Sequence, residues 1–243
     1  MKNIVIYKAV FNSYDNIEEI SDEFIYKNID YYVISDKYIE LSKPWNLILV
    51  DDIYGDPVIN NRFFKFNLID KFKEYEYSIY LDGNISVVGD INQLVSSLDV
   101  NKEVFLYEHP YRGRVKDEVT ACFIYGKINI FEFINLRSKK YSIYLDNKYK
   151  LYECGVLIRT KNINNIAFSE LFEIFKSKVR RDQIYFPHIM EKYNIAIDSL
   201  GISNIRTESE YFQLKSHLKR DKFLIRLRNR FLLRIYKTLR LAK

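Results

Sequence analysis

Glu76-Tyr77-Ser78-Ile79-Tyr80-Leu81-Asp82-Gly83-Asn84-Ile85 is an apolar and aromatic run of strand length that stops abruptly at an acid, a glycine and an amide. It reads as a strand delivering polar groups to its carboxyl end. In open α/β sheets ligands bind outside the carboxyl ends of the strands, so Asp82 stands where a ligand would be met, and Gly83 lets that ligand approach the backbone. Asp-Gly and Gly-Asn are also common turn dipeptides, and the fragment alone leaves both readings open.

Working outward, the same design recurs. Asn3-Ile4-Val5-Ile6-Tyr7-Lys8-Ala9-Val10-Phe11 is a near-continuous apolar run, as in a strand buried on both faces. Asp30-Tyr31-Tyr32-Val33-Ile34-Ser35-Asp36 and Trp45-Asn46-Leu47-Ile48-Leu49-Val50-Asp51-Asp52 are further strands that end in aspartate. Residues 60–75, with Phe63, Phe64, Phe66, Leu68, Ile69 and Phe72, predict a helix packed on the sheet. Downstream, 103–110 reads as a strand stopped by Pro110, 115–125 as a helix, 151–160 as a strand and 165–179 as a helix. Residues 180–190 read as a helix that begins in a site and ends in the core. Strands alternating with helices predict an α/β fold with a mostly parallel, Rossmann-type sheet.

The 243 residues suit one large α/β domain, and 48% hydrophobic content is that of a globular protein able to bury a core. Seven Gly and four Pro leave no room for a flexible linker. Cys122 and Cys154 have neither metal-ligand spacing nor the density of a disulfide scaffold, which points to a reducing compartment. The opening apolar run is too short for a signal peptide or a membrane span. Charge is uneven: residues 215–243 carry eleven Lys or Arg against one acid, Asp221, so of the net +6 the tail supplies +10 and the rest is near −4.

Taken in order, these pieces resemble a glycosyltransferase-like family long catalogued as a domain of unknown function, found in bacterial surface-polysaccharide loci and in plant proteins of mucilage and cell-wall synthesis. The blocks that carry the resemblance run from Ile4 to about Met190. They begin with Tyr7-Lys8-Ala9-Val10-Phe11-Asn12-Ser13-Tyr14-Asp15, Ile34-Ser35-Asp36, and Asp56-Pro57 with Arg62 and Lys65. They continue with 77–85, His109-Pro110-Tyr111-Arg112, Glu118, 151–159 and Arg181-Asp182-Gln183-Ile184-Tyr185-Phe186. The resemblance implies a GT-A-like fold over residues 1–205, a nucleoside-diphosphate-sugar donor, a glycan or lipid-linked glycan acceptor and, commonly, a divalent cation, Mn²⁺ or Mg²⁺.

Chemistry gives the residues roles within that expectation. A diphosphate leaving group gains negative charge as the glycosidic bond breaks, so a cation or fixed Arg and Lys must stabilise it. Asp82 is the first metal ligand expected and Asn84 the second, through an amide oxygen that lacks the second charge of a full Asp-x-Asp. Arg62 and Lys65 share one helix face, where they either meet phosphate oxygens or form a solvated basic surface. Asp36 is expected at the nucleoside, or as a turn cap. His109, beside Arg112, is open to three roles: third metal ligand, contact to sugar or phosphate, structural histidine. His188 lies on the apolar half of its helix, which favours packing over metal. Asp182, with Gln183, is expected to face the donor sugar or the acceptor hydroxyl, and Glu153 is the rival carboxylate for the chemical step.

At 100° per residue, 223–241 is an amphipathic basic helix. Leu224, Leu227, Phe231, Leu232, Ile235 and Leu239 gather on one side, and Arg226, Arg230, Arg234 and Lys237 on the other. Within the tail, 206–243, it either docks on its own domain or lies on an anionic membrane, placing the protein at the inner face of the cytoplasmic membrane. The competing function is a non-catalytic protein that uses this tail to bind membrane or nucleic acid. Basic residues confined to the tail, with no basic and aromatic patch legible in the body, argue against nucleic acid.

Overall fold

The first apolar run forms β1 (Ile4–Val10), buried along its whole length. Its side chains alternate across the sheet: Val5, Tyr7 and Ala9 enter one core, Ile4, Ile6 and Val10 the other. The computed structural model describes residues 3–12, 17–207, 210–215 and 223–241, with side chains in the last helix described to 238. Ser13, Tyr14, Asp15, the 216–222 part of the basic tail and the side chain of Leu239 lie outside the described residues.

After β1 come β2 (Ile29–Ser35), β3 (Asn46–Leu49), α1 (Pro57–Phe66), β4 (Tyr77–Leu81), β5 (Ile85–Val87) and α2 (Ile91–Ser96). The second half holds β6 (Val104–Glu108), α3 (Val115–Ile124), α4 (Ile130–Leu136), β7 (Tyr152–Thr160), α5 (Asn165–Ser177), α6 (Asp182–Lys192), β8 (Ile197–Ile202), β9 (Phe212–Leu214) and α7 (Phe223–Leu241). Seven strands form one sheet in the order β3-β2-β1-β4-β7-β6-β8. Only β7 runs antiparallel to its neighbours. This is the mostly parallel, helix-flanked α/β sheet expected of a GT-A-like, Rossmann-type fold. Helices α1, α3, α4, α5 and α6 supply the core on one face. On the other lie α2, Trp45 and the small β5–β9 sheet.

Two consequences of this order position the site. The chain winds outward from β1 to β2 and β3, then returns to β4 on the other side of β1, so the β1–β4 gap is the topological switch point where such sheets bind ligands. And because β7 is reversed, its amino end shares an edge with the carboxyl ends of all the others.

Two expectations need correction. The helix expected at 60–75 is α1, which ends at Phe66, followed by a 3₁₀ turn at Asp70–Phe72. Asn67 stops it: its backbone N–H and its side-chain amide both donate to Phe63 O, at 2.8 and 3.1 Å, consuming the carbonyl an ending helix leaves free.

The tail helix α7 does span Phe223–Leu241, but it docks by another face. Buried Asn229 donates to Phe123 O at the end of α3 (2.7 Å), Tyr236 packs edge-on against Phe133 (5.4 Å), and Leu233 is buried. Ile225 lies over Gly126, where a Cβ would come within 2.6 Å of Ile225 Cγ2. Leu232 also packs on the core, whereas Leu224, Leu227, Phe231 and Ile235 face solvent. An unmet Asn amide is costly once buried, so its hydrogen bond sets the roll of the helix. A hydrophobic stripe alone does not reveal that.

Candidate functional site

At the carboxyl edge of β4, Asp82 N–H donates to Gly155 O (2.8 Å) and Ile85 N–H donates to Asp82 O (2.9 Å), so 82–85 is a tight turn hung on β7. Gly155 makes room there: a Cβ would stand 3.2 Å from Asp82 Oδ2 and 2.9 Å from Ile85 Cδ1, so those side chains would have to shift. From the neighbouring β1, the buried ammonium of Lys8 donates to Gly83 O at 2.9 Å. The turn that presents Asp82 is thus fixed from both adjacent strands.

Helix α1 supplies the positive charge. Asp56 caps it by accepting from Val58 N and Ile59 N, and Pro57 is preset for a first turn. One turn along, Asn61 donates to Ala9 O (2.6 Å), tying the helix to the end of β1. Arg62 and Lys65 then reach two carboxylates from distant parts of the chain. Lys65 Nζ is 2.8 Å from Asp182 Oδ2 and 3.8 Å from Asp82 Oδ1. Arg62 Nε is 3.2 Å from Asp182 Oδ2, and its Nη1 is 4.0 Å from Asp82 Oδ1. Lys65 and Arg62 therefore serve both carboxylates, and the alternative of a solvated basic face is excluded for Lys65, whose side chain is 1% exposed.

The two acids are held differently. Asp182 opens α6, where a helix amino terminus favours negative charge. Burial raises its pKa, but Lys65 and Arg62 overcome that and hold the carboxyl well below the usual carboxylate range. Asp182 is a fixed anion and a weak base. Asp82 meets those cations only at long range, and 35% of its side chain remains exposed. Nearby, burial and then the charge of Asp182 push the Cys154 thiol well above its ordinary value, so it is not a nucleophile.

A second cluster lies on the same edge, beyond β7. Glu153, at the amino end of β7, is nearly enclosed, and Arg206 Nη1 is 2.6 Å from its Oε1. His109, just past β6, lies 3.9 Å from that same oxygen through Nε2, and Arg112 Nη2 is 2.6 Å from Nε2. Tyr111 N–H donates to His109 Nδ1 (3.1 Å). Burial, then Arg112, lowers the His109 pKa against the opposing pull of Glu153 and Glu118, and the ring is neutral near pH 7. Arg112 Nε donates to Glu118 Oε2 at 2.6 Å. Glu153 Oε2 is buried and has no hydrogen-bond partner among the described residues. The register between β6 and β7 slips between Phe105↔Ile158 and Tyr107↔Glu153. Such irregularities re-aim side chains beside active sites.

The remaining expected residues are placed as follows. Asp36, after β2, accepts from Asn12 N–H (3.1 Å), where Asn12 has φ 57°, so one carboxylate oxygen caps a turn. Asn84 donates through its side-chain amide to Lys215 O (3.1 Å) and through its carbonyl accepts from Lys215 N–H (2.8 Å), which clamps the segment behind β9. Gln183 donates to Tyr152 O (3.0 Å) and ties α6 to β7. His188 stands nearly two turns along α6 from Asp182, with Nδ1 2.9 Å from Tyr149 Oη and its ring against Tyr144, a packing role. Residues that reasoning from sequence did not single out are Lys8, Asn61, Gly155 and Arg206. The buried lysine in an otherwise apolar strand was the one legible signal among them.

No group of three or more His, Cys, Asp or Glu able to hold a metal occurs among the described residues. The donor set here is one accessible carboxylate, Asp82, with two cations near it. That fits an ion shared with substrate phosphates, which Mg²⁺-type sites favour, and not a cage made by the protein alone. No family model matches the chain, and no curated protein matches it. Solved structures do: one is the apo form of the bifunctional glycosyltransferase WbbM, at 14% identity and a TM-score of 0.46 over 82% of this chain. The match spans 38% of the length of that protein.

Proposed function

We propose that the chain is a nucleotide-sugar-dependent glycosyltransferase that adds a sugar to a bacterial surface glycan, such as a capsule, O-antigen or lipooligosaccharide. The observation that carries this reading is the Asp82–Lys65/Arg62–Asp182 constellation at the switch point of the sheet. In this reading it offers one accessible carboxylate for a cation, two cations to offset phosphate charge and one carboxylate held in its ionised form for developing positive charge.

In this reading the nucleoside lies toward Asp36, the diphosphate over Asp82 and Gly83, and the sugar toward β7. A divalent cation held at Asp82, when bound, acts as a Lewis acid on the diphosphate. Arg62 and Lys65 offset the charge that grows on the leaving phosphate as the sugar–oxygen bond breaks. Asp182 faces the oxocarbenium-like centre as an anion, its carboxyl held below the usual carboxylate range by Lys65 and Arg62. In this reading Glu153 takes the proton of the acceptor hydroxyl on Oε2, which has no hydrogen-bond partner among the described residues, as that hydroxyl oxygen bonds to the sugar and the nucleoside diphosphate departs with the electron pair.

The test is a panel of nucleotide sugars with Mn²⁺ or Mg²⁺, read by thermal shift and then by turnover. Ligand at 100 times its Kd adds about 2.7 kcal/mol of stability. A stabilising donor that is also hydrolysed or transferred supports the reading. No response to any donor, with tight binding to DNA or RNA, would favour the non-catalytic alternative.

The acceptor side of the proposal includes an anionic membrane. Leu224, Leu227, Phe231 and Ile235 stay exposed although α7 is docked, beside Arg226, Arg230, Arg234 and Lys237. No helix among the described residues is long and apolar enough to cross a membrane, and in this reading the tail lies along the membrane surface. Substituting Glu at both Leu227 and Phe231 leaves the docked face intact. It should release the protein from anionic liposomes in co-sedimentation, and unchanged binding would refute the membrane role.

A further inference from the structure

We infer that Arg206 is a positioning residue for the chemical step: it holds Glu153 in place, so the strap that follows β8 completes an active site whose other parts come from the sheet edge and from helices α1 and α6. The inference rests on the role proposed above for Glu153 and adds a residue and a segment to it.

The geometry points there from several directions. The strap leaves β8 at the carboxyl edge and reaches β5 through β9, where it meets Asn84 in the turn that presents Asp82. Its described residues are fastened at three points. Ser203 N–H donates to Glu108 O (2.9 Å), Val88 N–H donates to Tyr211 O (2.9 Å), and Asn84 clasps Lys215 twice. Gly89 admits it: a Cβ there would stand 1.9 Å from Glu210 O, a distance no side chain could tolerate. Between the first and second fastenings the strap delivers Arg206 onto Glu153 Oε1 at 2.6 Å.

That contact decides how Glu153 is presented. A carboxylate buried this deeply needs compensation for lost hydration, and Arg206 is its short-range cation, because His109 at 3.9 Å is neutral and Arg112 is engaged with Glu118. Arg206 occupies Oε1, and Oε2 has no hydrogen-bond partner among the described residues. Such an oxygen in a buried site is the unmet acceptor that a substrate O–H would satisfy. Arg206 is itself partly exposed, so it can hold the carboxylate without entering the core. Asn84 gives the arrangement a further property: the turn that carries Asp82 and the strap that carries Arg206 are hydrogen-bonded to each other, so donor and acceptor ends of the site are mechanically joined.

The test is a double-mutant cycle on steady-state transfer, with Arg206→Ala, Glu153→Gln and the pair, and with Arg206→Lys as the conservative variant. Donor affinity is measured separately by calorimetry with the nucleoside diphosphate. The expected result is a fall in kcat of at least about tenfold for Arg206→Ala, with nucleoside-diphosphate affinity unchanged and partial recovery in Arg206→Lys. The double variant should lose no more than Glu153→Gln alone, since a group that acts through another contributes nothing once the other is gone. Additive losses, or an Arg206→Ala variant with normal kcat beside a crippled Glu153→Gln, would overturn the inference and leave the glycosyltransferase reading standing. Full activity in Glu153→Gln would overturn both the inference and the assignment of Glu153 as proton acceptor.

Discussion

The two charged clusters on the sheet edge are built alike and held differently. Each joins two acids to two cations: Asp82 and Asp182 with Arg62 and Lys65, Glu153 and Glu118 with Arg112 and Arg206. Each is neutral overall, so charge can be buried without a large field. In the first, both cations come from one helical turn and bind Asp182 tightly, which leaves Asp82 loosely held and accessible. In the second, each cation comes from a separate loop and binds its own acid, and Glu153 Oε2 is left without a hydrogen-bond partner among the described residues. In the proposed reading, the first cluster meets a ligand that brings its own negative charge and a metal ion. The other suits a ligand that brings a proton.

The largest effect on stability should come from Lys65→Met. Removing one partner of a buried pair leaves an uncompensated charge and costs about 3–5 kcal/mol, to be read by urea unfolding. The pH dependence follows from Asp182. Its folded pKa is depressed, so its contribution is present above the unfolded value of about 3.9 and is lost as pH falls below it, toward the folded pKa. The difference between wild type and Lys65→Met should thus shrink below about pH 4. A constant difference down to acid unfolding would mean that Asp182 is not held as described.

A smaller change separates the clusters. Gly155→Ala pushes a methyl toward Asp82 and Ile85, at an overpacking cost of about 1–3 kcal/mol. It should impair metal-dependent donor binding while leaving Glu153 and its partners in place. Calorimetry at folded temperatures reads this, and unchanged donor affinity would mean that the Asp82 carboxylate is not confined by its contact with β7.

Much of the first cluster could be read from the chain because its parts have local signatures. An apolar run ending in Asp-Gly-Asn announces a strand end, and Arg62 with Lys65 announces a shared helix face. The junction with Asp182, 117 residues from Lys65, was legible only through the resemblance that placed Asp182 at the start of a late helix. The second cluster depends on the register slip in β7 and on where the strap crosses, neither of which has a periodic signal. Arg206 looks like any surface arginine in sequence, and Gly155 announces a close approach without saying to what. The fold was more legible than the site: α7 was bounded by its hydrophobic period, yet its orientation turned on the single hydrogen bond of Asn229.

In the proposed reading, Asp82 presents a donor diphosphate and its cation at the switch point of the sheet. Calorimetric titration of a nucleoside diphosphate into wild type and Asp82→Ala, each with and without Mn²⁺, tests it most directly, with circular dichroism to establish that the variant is folded. Mn²⁺ should strengthen binding in the wild type and lose that effect in Asp82→Ala, with a fall in transfer of more than about 10²-fold. Equal, metal-independent affinities in the two folded proteins, or near-normal transfer by Asp82→Ala, would contradict it.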